Sequence, residues 1–171
     1  MTSNTDFPVL SLTERDRRMQ HTRELLEREG LRGLILAGLT SREQYDAYLT
    51  NDYAEGIVIF PAEGLPTYIT WQEGRVMRHE ESKDLGVVPW IDDWQVGVDG
   101  VTVAKVLRKK GLDKGRIGVV GLNSKAPAEM NGYIPYALWS SVLQELPSTE
   151  FIDCSAVFAK MMLVKSKEEL V

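Results

Sequence analysis

The residues of this chain that could carry out chemistry are few and scattered. Two histidines, His21 and His79, and one cysteine, Cys154, occur in its 171 residues. Each histidine lies in a highly charged stretch, where a solvated surface position is expected, and neither has the second histidine that a zinc-binding helix carries four residues away. Cys154 follows a predicted strand and is expected to be a buried, structural thiol. These residues predict no nucleophile and no metal-binding histidine pair.

The most suggestive acidic motif is the adjacent pair Asp92 and Asp93. Neighbouring carboxylates can hold the divalent metal of an RNase H-like nuclease. Consecutive side chains on a strand point to opposite faces, however, so this pair alone does not make one site. A strand-end turn with two solvated acids is the favoured interpretation. The glycines Gly118 and Gly121 lack the spacing of a phosphate-binding loop, so no nucleotide site is predicted. Taken with the histidines, the cysteine and the acidic pair, the sequence predicts neither a catalytic residue nor a metal site in this chain.

Composition is typical of an ordinary globular domain. The hydrophobic fraction is 43% and the charged fraction is 26%, and this length suits one domain. A net charge of −5 opposes attraction to the phosphates of nucleic acid. The longest apolar runs are far shorter than the roughly 18 residues that a membrane-spanning helix needs. A lone cysteine and the lack of a secretory signal pattern favour the cytoplasm. We therefore expect a cytoplasmic domain without nucleic-acid or membrane partners.

Hydrophobic periodicity alternates between helical and strand patterns along the chain. The capping pattern from Ser11 to Glu14 opens a charged helix, which Gly30 ends. Short apolar runs bounded by glycine or proline predict about six strands, at 34–37, 56–60, 67–71, 86–91, 116–120 and 150–153. The second and third of these are expected to form an antiparallel hairpin. With about five helices between the strands, the pattern predicts a three-layer α/β domain with a mixed, roughly six-stranded sheet and helices on both faces.

Several weak motifs occur in an order that resembles one family. Tyr48-Leu49-Thr50-Asn51 is similar to a Tyr-Leu-Thr/Ser-Gly segment, although asparagine replaces the glycine. The other similar stretches are the helix and strand from Arg15 to Leu36, the strands Arg116–Val119 and Phe151–Asp153, and the junction Met161–Leu170. Val120 departs from the family, which commonly has an acidic residue there. From about Leu12 to Leu170, the chain resembles the N-terminal domain of the creatinase/aminopeptidase P/prolidase family.

The resemblance implies an RNase H-like fold and a supporting role. It implies that residues 1–164 form the N-terminal domain and that 165–171 start the linker or first helix of a C-terminal catalytic domain. In this family the catalytic domain binds two divalent metals, manganese, cobalt or zinc, and it cleaves Xaa-Pro peptides. The chain itself is then expected to hold no cofactor. It would pair with its own catalytic domain, support a homodimer and help to shape the site for a peptide or small-molecule substrate.

The resemblance also suggests which residues contact the substrate, in this subunit or in a neighbouring one. They follow the Tyr-Leu-Thr segment and the hairpin: Asn51, Asp52, Tyr53, Trp71 and Arg75. Tyrosine and tryptophan give rigid apolar contact, and Arg75 could hold a substrate carboxylate through two hydrogen bonds. Core or dimer packing for Trp71 and a solvated helix face for Arg75 stay open. So do a creatinase-like enzyme or small-zwitterion lyase, a stand-alone RNase H-like nuclease and a small-molecule-binding module.

Overall fold

A computed structural model describes residues 10–38, 45–52, 55–97, 99–122 and 134–170. Within these residues six strands form one sheet: β1 (Gly33–Ala37), β2 (Gly56–Pro61), β3 (Thr67–Thr70), β4 (Asp93–Val96), β5 (Gly115–Val120) and β6 (Thr149–Asp153). The helices are α1 (Leu12–Glu29), α2 (Tyr45–Thr50), α3 (Glu73–Asp84), α4 (Gly100–Lys109), α5 (Tyr136–Glu145) and α6 (Ser155–Met162), followed by a short 3₁₀ helix, Glu168–Leu170. None of the described helices is long and apolar enough to cross a bilayer.

The strand order is β4-β3-β2-β1-β5-β6. β2 pairs antiparallel with β1 and with β3, whereas the pairs β3–β4, β1–β5 and β5–β6 are parallel. The predicted mixed sheet and its β2–β3 hairpin are therefore confirmed. Every described strand except β2 runs in the same direction. The carboxyl ends of these parallel strands and the amino end of β2 therefore lie at the same end of the sheet.

Strand β1 shows how the sequence fills two apolar layers. Successive side chains on a strand point to opposite faces, so Leu34 and Leu36 enter one buried cluster while Ile35 and Ala37 enter the other. Residues of α1, α2 and α6 complete the first cluster, and residues of α4 and α5 complete the second. The three-layer arrangement predicted from the sequence is confirmed.

The strand predicted at 86–91 is wrong. Residues 85–92 have no regular secondary structure, and the strand that follows α3 is β4, which begins at Asp93. Val87 and Val88 are exposed by 55% and 60%, and Pro89 lacks the N–H that a ladder needs. Trp90 and Ile91 are buried without joining the sheet. The apolar run therefore reflects irregular packing beside the sheet.

Candidate functional site

The candidate site begins where α2 ends. Asn51 has a φ of 52°, in the left-handed region that asparagine tolerates better than most residues with a side chain. Its N–H donates to the Ala47 carbonyl at 2.9 Å. The next N–H, of Asp52, donates to the Thr50 hydroxyl at 3.1 Å. The turn therefore accommodates asparagine in place of glycine and fixes the position of Asp52.

Asp52 pairs with Arg75, which lies in the first turn of α3. The Arg75 Nη1 atom is 3.1 Å from Asp52 Oδ1, and both side chains are about one-third exposed. An ion pair this exposed adds at most about 1 kcal/mol to stability. The pair thus brings together two residues that the sequence predicted for one site. Asp52 does not use all the N–H donors of Arg75, and the remaining donors are able to bind a second carboxylate.

Both residues of this pair line a cavity of about 530 Å³. Its lining includes three of the five predicted residues, Asn51, Asp52 and Arg75. Trp71 is not in the lining and is 55% exposed after β3, and Tyr53 lies outside the described residues. The other lining residues were not predicted from the sequence: Leu10, Ser11, Leu12, Thr50, Arg78, His79, Ser82, Val87, Val88, Pro89, Trp90, Ile91 and Trp94. The cavity combines basic and aromatic side chains, so it is suited to binding an anionic group next to an apolar one.

His79 is part of the wall of this cavity, so the expectation of a solvated surface histidine is wrong. Its ring stacks on Trp94 with a centroid distance of 4.4 Å and an interplanar angle of 13°, and it is only 7% exposed. Its Nε2 atom lies 3.0 Å from the Asp92 carbonyl oxygen. Because a carbonyl can only accept, Nε2 carries the hydrogen. His79 therefore ties α3 to the start of β4.

A buried carboxylate, Asp46, holds α2 in place beneath the site. Its Oδ2 atom accepts a hydrogen bond from the Tyr68 hydroxyl at 2.7 Å and one from the Gly56 N–H at 3.0 Å. Burial raises the pKa of Asp46, although these two hydrogen bonds act in the opposite direction. Burial and the neighbouring Asp46 also raise the pKa of Tyr68. No local sequence pattern indicates this anchor between α2 and strands β2 and β3.

Asp92 and Asp93 bind to different elements. Asp92 is exposed and lies 2.8 Å from Lys83 Nζ, whereas Asp93 accepts a hydrogen bond from the Thr67 hydroxyl at 2.5 Å. Asp93 is only partly exposed, so the expectation of two solvated acids is wrong for it. Within the described residues, no group of three or more histidine, cysteine, aspartate or glutamate side chains could hold a metal ion.

The sequence of residues 18–164 matches the model of the creatinase/prolidase N-terminal domain. The chain belongs to this family. A comparison with curated proteins found no match. The match covers α2, α3, the sheet and the lining of the cavity from Thr50 to Trp94, whereas the lining residues Leu10, Ser11 and Leu12 lie before the matched range.

Solved structures share this domain's fold. An Xaa-Pro aminopeptidase from Streptococcus pyogenes has a TM-score of 0.63 at 16% identity, over 88% of this chain and 99% of that chain. An Xaa-Pro dipeptidase from Bacillus anthracis has a TM-score of 0.62 at 19% identity, over 91% of this chain and 38% of that one. The N-terminal domain of the cytoplasmic peptidase PepQ from Mycobacterium tuberculosis has a TM-score of 0.58 at 14% identity, over 85% and 98%. This chain therefore corresponds to a little over a third of the Bacillus dipeptidase.

The left-handed conformation of Asn51 leads to a stability prediction. We expect Asn51→Gly to change the free energy of unfolding by less than about 0.5 kcal/mol, and Asn51→Ala to lower it by about 1 kcal/mol, because a Cβ is unfavourable at positive φ. Urea unfolding of the two variants measures the difference. Equal stability of the glycine and alanine variants would show that the backbone at this turn does not select the residue.

Proposed function

We propose that this chain is the non-catalytic N-terminal domain of a dinuclear-metal Xaa-Pro peptidase of the prolidase or aminopeptidase P kind. Residues 1–164 would form the domain, and 165–171 would lead into a catalytic domain that binds two manganese, cobalt or zinc ions. The observation that carries the proposal is the contact between residues 165–170 and the start of α1. The Glu168 carboxylate accepts hydrogen bonds from the N–H and hydroxyl of Ser11, at 2.9 and 2.7 Å, and Ser11 lines the cavity. A domain that continues from here starts beside the cavity.

Exposed apolar side chains at the junction support this arrangement. Leu163, Val164 and Leu170 are exposed by 75%, 61% and 74%. Apolar surface of this kind gains about 25 cal/mol per Å² when a partner covers it. A catalytic domain attached at residue 170 would be in reach of all three side chains, and packing against them would fix its orientation.

In this proposal the cavity helps to hold the peptide. The Arg75 donors that Asp52 does not use would bind a substrate carboxylate. Asn51 and Asp52 would contact the polar backbone groups of the bound peptide. The exposed Trp71, together with Tyr53, would act at the site of a neighbouring subunit in a homodimer. The Xaa-Pro peptidases that share the fold, one of them described as cytoplasmic, support this substrate class and a cytoplasmic location.

The alternatives differ in what supports them. Creatinase-like or small-zwitterion lyase chemistry is consistent with the same family and is separated from peptide hydrolysis by the choice of substrate. The nuclease alternative is less favoured because Asp92 and Asp93 bond to different elements. The net charge of −5 also opposes a nucleic-acid substrate.

Kinetics of the protein expressed from its complete gene test the proposal. We expect hydrolysis of Xaa-Pro peptides with manganese, and no hydrolysis of creatine or RNA. Arg75→Ala should raise KM at least about tenfold with a smaller change in kcat, because it removes a charge-assisted hydrogen bond to the substrate.

The matched control is Arg108→Ala, since Arg108 is a partly exposed arginine that pairs with Glu145 at 2.9 Å in the layer of α4 and α5. It should leave KM unchanged. Equal KM values for the two variants would remove Arg75 from the substrate site. Hydrolysis of Xaa-Pro by residues 1–171 alone, or cleavage of RNA by them, would overturn the proposal that the catalytic residues lie elsewhere.

A further inference from the structure

Residues 165–170 fold back onto the start of α1, and a reciprocal pair of hydrogen bonds fixes their shape. The Ser166 N–H donates to Glu169 Oε2 at 2.9 Å, and the Glu169 N–H donates to the Ser166 hydroxyl at 3.3 Å. This is the capping-box arrangement, which here opens the 3₁₀ helix. It sets two consecutive carboxylates, those of Glu168 and Glu169, against α1.

The two carboxylates bind different parts of α1. Glu168 binds Ser11, the residue that caps the helix. Glu169 lies 3.0 Å from both Arg17 Nη2 and Arg18 Nη2, and 3.3 Å from Lys165 Nζ. Its side chain is only 10% exposed, so solvent screens these ion pairs little. We name the contacts of Glu168 and Glu169 with α1 the junction clasp.

Ser11 lines the cavity directly, and Arg18 is the member of the clasp that contacts α2 and Trp90. Its Nη1 donates to the Tyr48 carbonyl at 3.0 Å, and its guanidinium carbon lies 4.5 Å from the centroid of the Tyr48 ring. The same carbon lies 5.3 Å from the centroid of the Trp90 ring. Trp90 lines the cavity, and Tyr48 belongs to the helix that ends at Asn51. One buried guanidinium therefore contacts the junction and two walls of the cavity.

We propose that Arg18 is a positioning residue that couples the junction clasp to the cavity. While Glu169 is bound, the Arg18 guanidinium is fixed and supports both the end of α2 and the Trp90 side chain. When Glu169 leaves, Arg18 Nη2 loses its acceptor, and, among the described residues, the guanidinium is held only by Glu14 at Nε and by the Tyr48 carbonyl at Nη1. The walls of the cavity then lose a fixed support. The coupling concerns the mechanics of this chain and does not depend on which reaction the complete protein catalyses.

Hydrogen exchange in the 171-residue chain tests the coupling. The amides of Asn51 and Asp52 are hydrogen-bonded and therefore report on opening at the end of α2. We expect Glu169→Gln to accelerate their exchange at least about tenfold, together with the amides of 166–170, while the amide of Ile35 in the central strand keeps its rate. Glu168→Gln is the matched variant, because Glu168 belongs to the same turn but binds Ser11 and not Arg18. Glu168→Gln should accelerate exchange of the amides of 166–170 and leave those of Asn51 and Asp52 unchanged.

Three results would overturn the proposal. The rates of Asn51 and Asp52 could stay unchanged in Glu169→Gln, which would confine the clasp to the junction. They could rise equally in Glu168→Gln, which would show that Arg18 is not the connection. They could rise together with the Ile35 rate, which would show that the substitution acts through global stability.

Fluorine NMR gives an independent measurement at the other wall of the cavity. In the chain labelled with 5-fluorotryptophan, Glu169→Gln should shift or broaden the Trp90 resonance. The Trp139 resonance should stay in place, since Trp139 packs on Phe151 in the opposite layer. A Trp90 resonance identical to that of the unsubstituted chain would contradict the coupling.

Discussion

Replacing Asp46 with alanine is expected to lower the free energy of unfolding by about 3–5 kcal/mol. The substitution leaves the hydroxyl of Tyr68 and the N–H of Gly56 without the acceptor that they share in the native fold. Both lie in the buried part of the domain, where each unsatisfied polar group costs about 1–3 kcal/mol. The vacated space adds a cavity term, since the Asp46 carboxyl packs directly against Gly38. Urea unfolding followed by circular dichroism measures the loss.

Asp46→Asn is the matched control, because its carbonyl oxygen can accept both hydrogen bonds. Burial raises the pKa of Asp46, so the folded state binds its proton more tightly than the unfolded state does. The aspartate therefore contributes less to stability as pH rises from its ordinary pKa through the higher folded value. Asparagine does not titrate, so Asp46→Asn should gain stability relative to the unsubstituted protein over this range. Two results would contradict the role of Asp46 as an anchor. The stability difference between Asp46→Asn and the unsubstituted protein could stay the same over this pH range, or the asparagine and alanine variants could lose equal stability.

The central strands could be predicted from the sequence because their burial is complete. All residues of β1 and β2 are buried, so each appears in the sequence as a short, nearly continuous apolar run between glycine or proline residues. Strand β3, the antiparallel hairpin partner of β2, could be predicted from the turn residues between β2 and β3. For these elements the local pattern and the tertiary environment agree, so local reasoning was sufficient.

The edge of the sheet could not be predicted in the same way. β4 reads Asp-Trp-Gln-Val and, among the described strands, pairs with β3 alone, so it needs little apolar surface. The apolar stretch just before it packs irregularly, with Val87 and Val88 exposed. A single sequence gives the hydrophobicity of each segment but not the neighbour that covers it. At an edge strand, that neighbour decides which segment joins the sheet.

Some residues of the candidate site could be predicted from the sequence, and others could not. Asn51, Asp52 and Arg75 were grouped through the family resemblance, and the structure brings these three together around one cavity. Asp46 and His79 were missed because a buried polar side chain is recognised only through its partner. For Asp46 the partner is Tyr68, which is 22 residues away in sequence. No local spacing relates the two.

The second large effect that we expect concerns Glu14, a buried acid of α1. Its carboxylate accepts hydrogen bonds from Arg17 and Arg18, both at 2.7 Å. Burial disfavours its charged form, yet hydrogen bonds from Arg17, Arg18 and Ser166 outweigh burial and lower the pKa from 4.5 to about 2. Because the folded-state pKa is the lower one, the stabilisation is present above pH 4.5 and is lost as pH falls through about 2. At about 1.4 kcal/mol per pKa unit, it amounts to about 3 kcal/mol.

Glu14→Gln should therefore lower the free energy of unfolding by about 3 kcal/mol near neutral pH. The deficit should shrink as pH falls from 4.5 towards 2, because the protonated glutamate then resembles glutamine in charge. Glu27→Gln, at an exposed position of the same helix, should cost little at any pH. Glutamine keeps the size of the side chain and one acceptor, so the pH dependence of the deficit separates the effect of the charge from that of packing. A deficit that stays constant between about pH 7 and about pH 3 would assign the loss to packing and not to the ion pairs with Arg17 and Arg18.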